Sequence, residues 1–459
     1  METWIPVSEQ SASGLVCTLP SLDLNTSCHF EFDCSNDVDK AMGISSVSLT
    51  CSYEQDQAVV CSEISGPDSS LQDELFLYYL FAHPYTTPQT RTPCPQSVKL
   101  TPVHGDSSHT WPKSPPILIG HGGVGMKRAH YGPGRPWPDN TIGAFRRAEQ
   151  LGLPMIECDA TVTRDYRAVL LHHNFTVRFC PKYVQNGSCE RTFSLEHMQT
   201  TNLIVNYSLS ELRNMLGNGS ASSELDSDNC DVIHPNPLAL TDPLPDLSGN
   251  QGSPLPALAD AFRQTSVKLG FNVELKYPRE TLLGKIARAF DEAKPISPKL
   301  AGPHSYFANV NKFCDKILDT VWKYAGSRVM MLSSFNADVC AALRLKQSHI
   351  PVLFITRGGV TSETEPGNMR HVDLRHQNLG VAIRWAESID LAGIVTLRDS
   401  LDSAQADQRS DELASRNLAC FVYGVSEPSY LVVAKRLGLT GVIIDRVEQF
   451  LEEQSTASV

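Results

Sequence analysis

The stretch MIECDATVTRDYRAVLLHHN (Met155–Asn174) sets two carboxylates, Glu157 and Asp159, into an otherwise apolar run and ends on a doubled histidine. A short apolar run bounded by polar residues reads as a buried strand. Residues i and i+2 of a strand face the same side, about 6.6 Å apart along the chain, so Glu157 and Asp159 look the same way. Two carboxylates so placed raise each other's pKa unless a cation lies between them. A lone Glu-x-Asp fits a solvated strand end as readily as it fits a site, and the rest of the chain has to decide.

Similar runs recur on both sides: PILIG before it, then AVLLH, LGFNVEL, VMMLSSF, PVLFIT, LAGIVTL, ACFVYG and GVIID after it. Helical stretches lie between several of them, among them Thr141–Gly152, Thr281–Ala293, Ala337–Gln347 and Ser429–Leu437. Repeated strand-then-helix units imply a parallel sheet. So many of them over about 340 residues suit an α/β fold of the closed TIM (β/α)8 type better than an open doubly wound sheet. The downstream strand ends of such a barrel form its catalytic mouth, and Glu157 and Asp159 sit at one. The barrel is expected over residues 113–455. A Gly-, Ser-, Asp- and Pro-rich surface insertion is expected at 217–256. Residues 1–112, with runs such as SVSLTCSY and ELFLYYLFA, read as a small β-rich region of unknown function, closed by the linker SSHTWPKSPP.

Composition narrows the function classes. With 41% hydrophobic and 20% charged residues the 459-residue chain is that of an ordinary globular protein. A net charge of −12 argues against nucleic acid as a partner, because phosphate backbones want a basic face. No stretch approaches the roughly 20 apolar residues of a membrane helix, so no integral membrane association is expected. The N-terminus lacks the basic and apolar regions of a secretory signal. Thirteen cysteines, an odd count without CxxC pairs, read as reduced thiols in a cytoplasmic protein.

Further candidates stand at other strand ends. GFNVELKYP (Gly270–Pro278) repeats the i, i+2 arrangement with Glu274 and Lys276. Glu274 offers a third oxygen to a hard cation such as Mg2+ or Ca2+. Lys276 offers charge to a phosphate oxygen, or simply a salt bridge to Glu274. His121 ends the first run, in ILIGHGGVG, where glycines leave room for a ligand to approach the backbone. In PDNTIGAF, Asp139, Asn140 and Thr141 open a helix, with Asn140 or Thr141 as its N-cap. His172 or His173 closes AVLLHHN; a histidine at each of two strand ends can form an acid/base pair near pH 7.

In this order the segments resemble the glycerophosphodiester phosphodiesterase family, and in particular its eukaryotic glycerophosphocholine phosphodiesterase branch. The family's His-Arg-Gly, Glu-Asn-Thr, Glu-x-Asp, His-Asp and Glu-x-Lys motifs meet His121-Gly122-Gly123, Asp139-Asn140-Thr141, Glu157-Cys158-Asp159, His172-His173 and Glu274-Leu275-Lys276. The resemblance implies a metal-dependent TIM-barrel hydrolase that takes a small glycerophosphodiester, such as glycerophosphocholine, to glycerol 3-phosphate and an alcohol. It implies Glu157, Asp159 and Glu274 as ligands of a divalent cation, Mg2+ or Ca2+. His121 and His172 would be the acid and base, and Lys276 would lie near the phosphate. Three positions depart from the family: Gly122 replaces the arginine, Asp139 the glutamate, and His173 the aspartate. Two other functions are compatible with them: a catalytically weakened barrel acting through protein contacts, and lysophospholipase D-like action at the same site. Lys127, Arg128 and Arg135 are the nearby cations that could make up for the arginine.

Overall fold

In the computed structural model, the described residues are 27–33, 44–50, 57–65, 72–80, 82–86, 94–97, 115–124, 139–170, 204–212, 255–277, 308–360, 373–401 and 406–456. They fall into two compact units. One holds two antiparallel hairpins: β1 (Ser27–Asp33) pairs with β2 (Ile44–Thr50), and β3 (Gln57–Ser65) with β4 (Gln72–Leu80). These contain the runs SVSLT and ELFLYYL that read as strands.

The other unit, Pro84–Leu282 with Ala308–Val459, is a barrel. Its strands are β6 (Ile117–Gly120), β7 (Met155–Val162), β9 (Gly270–Leu275), β10 (Val329–Ser334), β11 (Val352–Thr356), β12 (Gly393–Leu397), β13 (Ala419–Val425) and β14 (Gly441–Ile444). Each pairs in parallel with the next, and β14 returns to β6 with Ile444 opposite Gly120, so the sheet closes on itself. Two short strands stand outside the ring. β5 (Gln96–Ser97) pairs in parallel with β10, and β8 (Ala168–Leu170) pairs with β7 in antiparallel fashion.

The β8 pairing corrects the expectation that AVLLH is one of the barrel's own strands. Only residues 163–167 separate β7 from β8. A parallel crossover needs a dozen or more residues, whereas a hairpin needs few, so the run can only fold back on β7. The expected helix at 281–293 lies outside the described residues, as does the insertion at 217–256 apart from Leu255 and Pro256.

Helices follow the strands as the polar–apolar periodicity requires: α1 (Ile142–Gln150), α2 (Leu258–Gln264), α3 (Val310–Tyr324), α4 (Ala337–Lys346), α5 (Leu379–Ser388), α6 (Ala406–Ser415), α7 (Tyr430–Arg436) and α8 (Val447–Thr456). Their starts are written in asparagine and threonine. Asn309, Asn336 and Asn378 each accept the backbone N–H three residues on, and Thr141 does the same for α1, satisfying a donor the helix itself leaves unpaired.

The barrel interior is filled by Ile119, Met155, Met331, Leu353, Ile355, Val395, Phe421 and Ile443, all 4% exposed or less. Each such side chain contributes about 1.5–3 kcal/mol on burial. Arg328, 1% exposed, stands just before β10. It donates to the carbonyls of Ala325 at 2.8 Å and of Phe262 and Thr265 at 2.5 Å, tying the end of α2 to the start of β10.

Candidate active site at the barrel mouth

Glu157 and Asp159 lie on β7, and the β7–β9 register sets Asp159 beside Glu274. The period-2 rule and that register together bring the three acids to one place. They are 3%, 0% and 7% exposed, and one oxygen of each lies within 4.8 Å of the others. Lys276, just beyond β9, extends its Nζ to 2.7 Å from Glu274 Oε1 and 3.1 Å from Asp159 Oδ1. His121 follows β6, with Nε2 3.9 Å from Glu157 Oε2. Five of the six residues singled out from sequence therefore converge. The sixth, His172, lies outside the described residues, as do His173, Lys127, Arg128 and Arg135.

The surroundings hold each acid in a fixed rotamer. Gly122 donates its backbone N–H to Glu157 Oε2 at 3.0 Å. Its φ of +53 is left-handed, and a Cβ there would stand 2.5 Å from Cβ of Asp139, so glycine is the residue this turn accepts. Asn140 clamps Asp159 twice: its Nδ2 donates to Oδ2 at 2.7 Å, and its Oδ1 accepts from the backbone N–H of Asp159 at 2.9 Å. Sequence reasoning left Asn140 or Thr141 as the helix cap. The cap is Thr141, and Asn140, at φ +59 and buried, belongs to the acids.

One partner escaped the sequence entirely. Asp445, one residue past β14, places Oδ1 2.7 Å from His121 Nδ1. The two are 324 residues apart in the chain. The faint signal was its position in GVIID, an acid directly after an apolar run at another strand end.

Electrostatically the cluster is strained without a cation. Burial pushes the Glu157 carboxyl well above its ordinary range, and the Asp159 charge adds to this. Burial, and then Asp159, also raise Glu274, while Lys276 opposes them. For His121 burial works downward, yet the Asp445 hydrogen bond and the Glu157, Asp445 and Asp159 charges lift it to about 10. Lys276 is likewise held protonated by Asp159 and Glu274 against its burial. Glu157 Oε1, Asp159 Oδ1 and Glu274 Oε1 are buried and receive no well-directed hydrogen bond, the Lys276 contacts on the latter two being ion pairs. Three such oxygens on three carboxylates are the donor set of a hard divalent cation, and the residues present fit one.

A parallel eight-stranded barrel with an all-oxygen acidic cluster and a histidine at its mouth defines a class, the metal-site (β/α)8 barrels. Residues 130–449 match the Glycerophosphoryl diester phosphodiesterase family, and the chain belongs to that family. It is similar to glycerophosphocholine phosphodiesterase GPCPD1 of Homo sapiens, 26% identical over 351 residues covering 76% of this chain and 46% of that protein. It is also similar to glycerophosphocholine phosphodiesterase gde1 of Schizosaccharomyces pombe, 27% identical over 364 residues covering 72% of this chain and 27% of that protein. The chain thus spans less than half the length of these relatives. Among solved structures, a phosphodiesterase of Oleispira antarctica in complex with the product sn-glycerol-3-phosphate is 16% identical over 75% of this chain and 98% of that one, with a TM-score of 0.43. Among the described residues, no helix is long and apolar enough to cross a membrane, and Cys94, Cys158, Cys314, Cys340 and Cys420 are free thiols.

Proposed function

We propose that this chain hydrolyses glycerophosphodiesters, with glycerophosphocholine as substrate and glycerol 3-phosphate and choline as products. The observation that carries the reading is the trio of buried carboxylates whose oxygens converge, set beside a lysine and a histidine at the mouth of the barrel. Glu157, Asp159 and Glu274 would hold a divalent cation, Mg2+ or Ca2+, which when bound offsets charge on the phosphoryl oxygens. Lys276 would add a point charge to the phosphate. His121 and His172 would act as the proton-transfer pair. One accepts the proton of the glycerol hydroxyl beside the diester as that oxygen attacks phosphorus. The other gives a proton to the departing choline oxygen, and water then opens the cyclic phosphate. The catalytic unit would be the barrel of residues 113–455, with 1–112 outside it. The free thiols fit a cytoplasmic setting.

Choline release from glycerophosphocholine in the presence of Mg2+ or Ca2+ tests this, with Glu157→Ala expected to abolish it. Failure to turn over any glycerophosphodiester with several metals would overturn the reading. Lysophosphatidylcholine run alongside separates it from lysophospholipase D-like action.

A further inference from the structure

The closure of the barrel puts its two ends in register, and three hydrogen bonds cross the seam at the mouth. His121 donates its backbone N–H to the carbonyl of Ile444 at 3.1 Å, Val447 donates to the carbonyl of Val124 at 3.0 Å, and between them the side chains of His121 and Asp445 meet at 2.7 Å. Asp445 is itself fixed by donating its backbone N–H to the carbonyl of Val425 at 2.8 Å. Its carboxylate is therefore delivered to the imidazole by two neighbouring strand ends, not by a free-swinging loop. A carboxylate oxygen only accepts, so the hydrogen between the two residues lies on Nδ1. The opposite nitrogen, Nε2, is the one turned toward the acids, 3.9 Å from Glu157 Oε2.

We propose that Asp445 is a positioning residue for the phosphodiester chemistry: it holds the imidazole of His121 in one orientation, with hydrogen on Nδ1, so that Nε2 is the nitrogen that exchanges a proton with the substrate. The proposal rests on the reading of His121 as a member of the acid/base pair. Physically it is the logic by which a buried acid orients any catalytic histidine: without the acceptor the ring can rotate, and the proton can sit on either nitrogen. Asp445 is not one of the three acids that would hold the cation, so its removal is expected to act on the ring.

The test compares the parent with Asp445→Ala and Asp445→Asn. In Asp445→Ala, kcat for choline release is expected to fall about 100-fold or more, on the scale seen when a histidine's orienting acid is lost. KM and Mg2+ affinity by calorimetry are expected to stay within about threefold of the parent, against the 10–100-fold losses typical when a metal site's own support is removed. Asp445→Asn keeps the shape, but its Nδ2 can donate to Nδ1 and move the ring hydrogen to Nε2, so it is expected to lose rate to a similar degree. Nitrogen-15 spectra of the His121 side chain provide a readout independent of turnover: a hydrogen-bonded Nδ1–H that resists exchange in the parent, lost in Asp445→Ala and Asp445→Asn. A rate within about threefold of the parent in Asp445→Ala, an unchanged Nδ1–H signal in that variant, or loss of Mg2+ affinity in both variants would overturn the proposal. If the parent turns over no glycerophosphodiester, the functional reading fails, and the nitrogen-15 comparison still decides what Asp445 does.

Discussion

Asn140 and Gly122 show how narrowly single residues set the acidic cluster. Asn140 occupies a left-handed backbone position and gives both ends of its amide to Asp159. Asn140→Ala removes an acceptor and a donor from a buried carboxylate and its peptide. The expected outcome is a 10–100-fold weaker divalent-cation affinity, read by titration calorimetry, with α1 still capped by Thr141. Gly122 poses the opposite problem, because the family's arginine is absent there. Introducing an arginine there is not expected to raise activity. Gly122→Arg would set a Cβ 2.5 Å from Cβ of Asp139 at a φ of +53 and disturb the N–H that Glu157 accepts. A destabilisation of about 1–3 kcal/mol is expected from the backbone alone, measured by denaturant unfolding, with no gain in choline release.

At the scale of elements, the barrel was legible because parallel strands covered on both faces read as nearly unbroken apolar runs, and eight of the nine runs proved to be barrel strands. The ninth, AVLLH, carried the same apolar signal, and only the shortness of residues 163–167 distinguishes a hairpin from a crossover. Glu157, Asp159, Glu274 and Lys276 were legible because period 2 and strand ends are local properties. Asn140 stayed open between two roles that the same residue type performs, capping a helix and clamping a carboxylate. Asp445 was invisible because its meaning depends on which strand closes the ring. Arg328 was equally silent in sequence, yet it spans α2 and β10 through three carbonyls. Arg328→Met leaves those carbonyls without their donor, at about 1–3 kcal/mol for each buried group left unsatisfied, partly regained by relaxation and water. A net loss of about 2–4 kcal/mol in unfolding free energy is expected, with kcat unchanged, since Arg328 lies outside the acidic cluster.

For the whole molecule, the cluster makes stability depend on pH and metal together. Burial, with Asp159, holds the Glu157 proton well above its ordinary value of 4.5, and His121 stands at about 10 against an ordinary 6.5. Between pH 6.5 and 9 the folded chain therefore binds more protons at His121 than the unfolded chain does, and stability falls as pH rises. A divalent cation replaces those protons and stabilises the folded state by mass action. In chelator, Tm is expected to drop from pH 6.5 to pH 9, and Mg2+ or Ca2+ is expected to raise Tm more at pH 9 than at pH 6.5. Thermal melts across that range check this, and a chelated Tm that climbs with pH would contradict it.

The His121–Asp445 contact also ties the chemistry to the order in which the chain is made. With the two 324 positions apart and synthesis at about 5–20 residues per second, the histidine leaves the ribosome roughly 15 to 65 seconds before its partner. Until β14 arrives and pairs with β6, the ring is open and the imidazole lacks its Asp445 contact. A nascent or prematurely terminated chain lacking β14 would carry all three acids, the lysine and the histidine but not the aspartate that fixes the ring. Completion of the last strand is thus what brings the imidazole and its aspartate together.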